Sequence, residues 1–169
     1  LIRRSTLSRV SSNTLTSFWN NMLDLAYYAV LVLNLLWFGA AFHYFSIKQV
    51  AAAKVLVPQS SRNSPLFLTV AASVRFLGGM NLALAVLSLM MLVGLLASTD
   101  TQQRAALLLV LVIAHGSQFY FNISIARGGG RQGEALWDVH QGPMKFIYRV
   151  DATLILASAV LCVIYFAAR

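Results

Sequence analysis

Four long apolar stretches, 25–47, 66–97, 105–125 and 146–168, occupy most of this chain. Each matches or exceeds the roughly 20 apolar residues that a helix needs to cross a hydrocarbon core of about 30 Å. Lipid offers no water to a backbone N–H or C=O, so a spanning segment must close its own hydrogen bonds. Together these constraints predict an all-α integral membrane protein, a four-transmembrane-helix bundle with a basic N-terminal arm. Composition agrees: 59% of the 169 residues are hydrophobic and 11% are charged, whereas a soluble domain carries about a quarter charged residues. The bundle takes up 22–169 as one domain.

Thirteen Lys and Arg against five Asp and Glu give a net charge of +8. In a soluble chain such an excess would suggest nucleic acid. Here the cations fall in the connections and at the helix ends, where lipid phosphates and acidic neighbours are the expected partners. The arm, 1–21, carries Arg3, Arg4 and Arg9 among many Ser and Thr, with no acid before Asp24. That composition resembles an organellar transit peptide or its retained remnant; a basic arm lying on lipid headgroups is the alternative. The expected location is an organellar membrane, the mitochondrial inner membrane ahead of the plastid thylakoid or the endoplasmic reticulum. Arg127 and Arg131 frame a glycine run after the third stretch and join Arg3, Arg4 and Arg9 as lipid- or partner-facing cations. The glycine run lacks the lysine and hydroxyl of a phosphate-binding loop. The balance of Lys and Arg between the two sides leaves orientation open.

Local signals set the helix ends. Asp24 suits the N-terminus of the first span. Ser64-Pro65 reads as a start signal for the second, and Asp100 with Gln103 as a capping box for the third. The second stretch, 66–97, would reach nearly 50 Å as one helix, so it must tilt, kink or project. Gly78-Gly79 is the expected kink. Ala71, Arg75, Gly79 and Ala83 recur every fourth residue and would allow close approach of a sister span or a foreign subunit.

Polar groups inside the spans carry most of the functional information, because each is costly to keep there. They are Asn34, His43, Arg75, Asn81, His115, Gln118, Asn122, Arg149 and Asp151. His115, Gln118 and Asn122 follow i, i+3, i+7 spacing on one helical stripe. Three readings apply to that stripe: interhelical glue, the wall of a ligand site, or a cofactor role in which His115 or His43 ligates haem iron or chlorophyll magnesium. Arg75 and Asp151 are opposite charges at similar depth and are expected to pair across spans two and four. Arg75, His115, Gln118, Asn122 and Asp151 thus form the expected intramembrane clasp. The lone Cys162 excludes an internal disulfide. No His/Cys/Glu spacing suits a metal, and no triad spacing is present.

The run Arg75–Met80, RFLGGM, followed one span later by Ala114-His115-Gly116-Ser117-Gln118, resembles the small four-helix scaffold proteins of sterol biosynthesis over about 25–125. In that family an Arg-x-Phe-Gly stretch precedes a histidine in the next span. The resemblance implies a tether for enzymes rather than an enzyme.

The expected role is therefore a non-catalytic accessory (supernumerary) subunit of a larger organellar membrane complex, contributing structure, lipid packing and subunit contacts. The alternatives are a small-molecule or lipid-binding membrane protein using the His115/Gln118/Asn122 stripe, and a chlorophyll-carrying photosystem subunit. No catalytic residue and no cofactor is specified; bound phospholipids, other membrane subunits and no nucleic acid are the expected company.

Overall fold

The computed structural model describes residues 3–96, 99–128 and 137–168, with side chains from Thr16 onward. Helix α1 (Arg3–Phe42) runs into a single π-helical turn, His43–Ile47. Lys48 leaves helical geometry at φ −102° and ψ 37°, and the chain turns back through the short α2 (Gln49–Leu56). A 3-10 turn at Gln59–Ser61 and then Pro65 lead into α3 (Leu66–Leu92). Helices α4 (Thr101–Gly128) and α5 (Gly142–Ala167) follow. Four segments, Thr16–Ile47, Leu66–Leu92, Thr101–Arg127 and Gly142–Ala167, are long and apolar enough to cross a bilayer. The molecule is a four-helix membrane-embedded protein. The backbone of 3–21 is helical and continuous with the first span; the side chains of Arg3, Arg4 and Arg9, and all of Arg131, lie outside the described residues.

Each helix buries one narrow stripe. On α3 it is Phe67, Ala71, Val74, Gly78, Asn81, Ala85 and Ser88. Tyr27, Leu31, Asn34 and Phe38 form the α1 stripe; Arg104, Leu108, Leu111, His115 and Asn122 form that of α4. Helix α5 contributes Asp151, Leu154, Ser158, Leu161 and Tyr165. Steps alternating between three and four average 3.5 residues, the period at which helices pack in a left-handed bundle. Helix α1 packs against α3 and touches α5, and α4 lies along α5. Contacts of Arg104 with Tyr165 and of His115 with Asp151 show α4 and α5 to be antiparallel.

Two sequence expectations are corrected. The second span ends at Leu92, not at 97. Gly94 adopts φ 74°, and the N–H groups of Leu95 and Leu96 return to the Met90 carbonyl at 2.9 and 3.2 Å. This glycine cap stops the helix although the apolar run continues. The helix is 27 residues long, so the overlong-span premise falls away. Gly78-Gly79 interrupts nothing: α3 is helical through both. Second, Asp24 is not a helix-start acid. It sits inside α1, where its carboxylate accepts from the guanidinium of Arg104. Arg104 also donates to the Tyr165 hydroxyl at 3.1 Å and lies 4.5 Å from the centre of the Tyr27 ring. A charge counted as belonging to a connection is therefore buried where α1, α4 and α5 meet.

At the other two starts the capping acceptors are in place, although Pro65 stands at the N-cap of α3 rather than at its first position and Gln103 makes no return bond to Asp100 among the described residues. Asp100 Oδ1 accepts from the N–H groups of Gln102 and Gln103 at 2.8 and 3.1 Å, and Ser64 Oγ from Leu66 N–H at 3.3 Å.

Gly78 is where α3 meets the π turn. A Cβ there would stand 2.1 Å from Ser46 Oγ and 2.7 Å from Ser46 N. The missing side chain lets Ser46 Oγ donate to the Arg75 carbonyl at 3.0 Å. Its neighbour Gly79 faces outward, with no heavy atom within 4 Å of a Cβ placed on it.

Candidate functional site

Three helices bring their buried polar residues to one point. His115 Nδ1 lies 2.9 Å from Asp151 Oδ1, and Nε2 lies 3.0 Å from Asn34 Oδ1. Trp37 Nε1–H donates to the same Asp151 oxygen at 3.2 Å. Phe38 stacks on the imidazole, with ring centroids 4.6 Å apart at 18°. His115, Asn34 and Asp151 are all 0% exposed.

The protons follow from the donors. Asn34 Nδ2 donates to the Val30 carbonyl at 2.8 Å, which turns its Oδ1 toward the imidazole. An amide oxygen only accepts, so Nε2 must carry the hydrogen there. One further proton lies between Nδ1 and Asp151 Oδ1. Whichever atom holds it, the pair carries no net charge, and that is the state a hydrocarbon interior tolerates best. Both ring nitrogens are engaged and one ring face is covered by Phe38. His115 thus presents no lone pair to haem iron or chlorophyll magnesium. The arrangement ties α1, α4 and α5 together through His115.

The expected clasp is rearranged. His115 and Asp151 come together, joined by Asn34 and Trp37, which sequence spacing had not assigned to it. Arg75 stands apart: it is exposed, its carbonyl takes the Ser46 hydroxyl, and it makes no ion pair with Asp151. The Arg75–Asp151 pair is replaced by His115–Asp151, because the buried stripe of α3 passes through Val74 and Gly78 and leaves residue 75 outside. For the same reason Ala71 is buried while Arg75, Gly79 and Ala83 are exposed. Asn122 belongs to a separate contact: its Oδ1 accepts from Trp137 Nε1–H at 2.9 Å and its amide donates to the Gln118 carbonyl at 3.0 Å. Arg127 is exposed.

Asn34 had a legible signal. Tyr27, Leu31, Asn34 and Phe38 share one face at coiled-coil spacing, so Asn34 had to point inward. Trp37 sits beside that face, and nothing local marks it as a donor.

Gln118 and His43 occupy a different feature. A pocket of about 450 Å³ opens between the end of α1, the π turn, α4 and the start of α5. Trp37, Ala40, Ala41, His43, Lys48, Gln118 and Phe146 are among its walls. Trp37 is thus shared between the pocket and the buried cluster. Among the described residues, no three His, Cys, Asp or Glu side chains gather as a metal site. Asp151 Oδ2, Ser158 Oγ and Tyr27 OH are buried without a hydrogen-bond partner among the described residues.

Comparison with known proteins leaves the reading on the geometry alone: no family model, no curated protein and no solved structure matches the chain.

Proposed function

We propose that this chain is a non-catalytic accessory subunit that assembles with other membrane-spanning chains through the outer face of α3. The observation that carries the reading is the exposure of Arg75 beside Gly79 and Ala83 on a membrane-crossing helix. Arg75 lies about 14 Å along the axis from Leu66. An arginine at the centre of a span costs about 2.5–3.5 kcal/mol on insertion scales. Its stem leans toward the start of α3 and can carry the charge to the headgroups. The open surface over Gly79 has no such remedy. Small residues one turn apart allow a second helix to approach closely, and a carboxylate on that helix would pair with the guanidinium. The resemblance to the four-helix scaffolds of sterol biosynthesis points to the same class of role. The acid-free arm carrying Arg3, Arg4 and Arg9 supports placing the protein in an organellar membrane, the mitochondrial inner membrane first.

The test is native mass spectrometry and blue-native electrophoresis of the tagged full chain after mild detergent extraction. Wild type is expected in a particle several times its own mass. Arg75→Leu with Gly79→Leu is expected to release it as a single chain whose denaturant midpoint is unchanged. A solitary, monodisperse wild-type protein would sink the proposal.

A further inference from the structure

The pocket at the end of α1 runs from apolar to polar along the axis of that helix. Its inner wall is Trp37, Ala40 and Ala41, continued across the gap by Phe146 and Ile147. Its outer rim carries Lys48 and His43, both exposed. Lys48 stands where the π turn ends and the chain leaves the first apolar span. About 16 Å of helix separates it from Trp37. Among the described residues no carboxylate lines the pocket, so none of them supplies a counter-charge to the cation at its mouth.

Gln118 supplies an independent observation. It is half-buried and lines the pocket from α4 one turn beyond His115, level with the inner wall, because His115 itself meets Asn34 and Phe38 of α1. Its backbone carbonyl takes the Asn122 amide, but its own side-chain amide has no hydrogen-bond partner among the described residues. An amide left unpaired in an apolar wall is unfavourable, and an amide facing a pocket is a specificity element for whatever enters.

We infer that this pocket binds a single-chain amphiphile with an anionic headgroup. The carboxylate or phosphate sits at Lys48 and His43, and the acyl chain runs inward along Trp37 and Phe146 past Gln118, whose amide takes a hydroxyl or ester carbonyl where the amphiphile carries one. About 450 Å³ lies within the usual range for small-molecule sites, about 300–1,000 Å³. It is too small for both chains of a diacyl lipid. A sterol or neutral monoglyceride would fill the wall but leave the cation at the rim unanswered. The proposal is independent of the α3 surface.

The test uses the full chain in a neutral maltoside detergent, with tryptophan fluorescence quenched by a brominated long-chain fatty acid. Brominated lysophosphatidic acid and the brominated fatty-acid methyl ester form the comparison arms. Saturable quenching by the free acid or the lysophosphatidic acid is expected, and which binds tighter identifies the headgroup. The methyl ester should bind roughly tenfold more weakly or not at all, and Lys48→Gln should weaken the acid about fivefold. Ala41→Phe, which fills the inner wall, should abolish the saturable component, as should Trp37→Phe, which removes the one of the three tryptophans that lines the pocket. Equal quenching by acid and ester would overturn the proposal. So would saturable binding unchanged by both Lys48→Gln and Ala41→Phe, or competition by a sterol with no response to the acid.

Discussion

His115→Leu is expected to lower the free energy of unfolding by about 3–5 kcal/mol, the range for breaking a buried charged pair from one side. An ordinary hydrogen bond between membrane helices contributes only about 0.6 kcal/mol on average, so the size of the loss is diagnostic. The difference lies in what is left behind. Without His115, Asp151 is fully buried with only the indole of Trp37 for company, and Asn34 loses its imidazole. Asp151→Asn should be much milder, about 1–2 kcal/mol, because an amide at that site can serve His115 or Trp37 but not both. Replacing both His115 and Asp151 by Leu should cost less than the sum of the two single Leu changes, since neither partner then remains unpaired. Denaturation by dodecyl sulfate in mixed micelles, followed by tryptophan fluorescence, supplies all four numbers. A His115→Leu loss under about 1 kcal/mol would show that the three-helix junction is not what ties α1 to α4 and α5.

A matched pair of glycines gives the second large effect. Gly78→Ala is expected to destabilise by about 1–3 kcal/mol even though alanine is the better helix former, by about 1 kcal/mol. The new methyl would meet the Ser46 backbone nitrogen at 2.7 Å as well as its hydroxyl. A side chain can turn away, but that backbone is held by the π turn. Gly79→Ala, one residue along, meets nothing within 4 Å and should be neutral or slightly stabilising in the isolated protein. Removing the Ser46 hydroxyl in the Gly78→Ala background should recover only part of the loss, because the contacts with Ser46 N and Cβ persist. Thermal unfolding in detergent orders the three variants. Equal behaviour of the two alanines would remove the argument that α3 is seated on the π turn.

Much of the architecture was legible because lipid leaves a chain few choices. Apolar length identified the four spans, and alternating steps of three and four separate the buried stripe of each from its outer surface. The stripe through Val74 and Gly78 excluded Arg75 from the interior, yet depth and opposite charge favoured pairing it with Asp151. Depth alone does not say which way a side chain points; the azimuth around the helix does. The end of α3 was misplaced for a local reason. An apolar run reports burial, while the helix stop is a conformational event at Gly94. Asp24 and Arg104 lie at matching ends of parallel helices, but a charge at a span boundary reads equally as a loop residue. The pocket left little trace in the sequence, since its walls come from the end of α1, the π turn, α4 and the start of α5.

The His115 junction also bears on how the chain is made. Its partners are far apart in the polymer: Trp37 and Asp151 are separated by 114 positions, and Asn34 and His115 by 81. A ribosome delivers the first span long before α5 exists to receive it. During synthesis, the Trp37 indole is therefore without the Asp151 carboxylate until α5 arrives. A chain cut short before α5 would leave Trp37 and His115 both lacking that carboxylate.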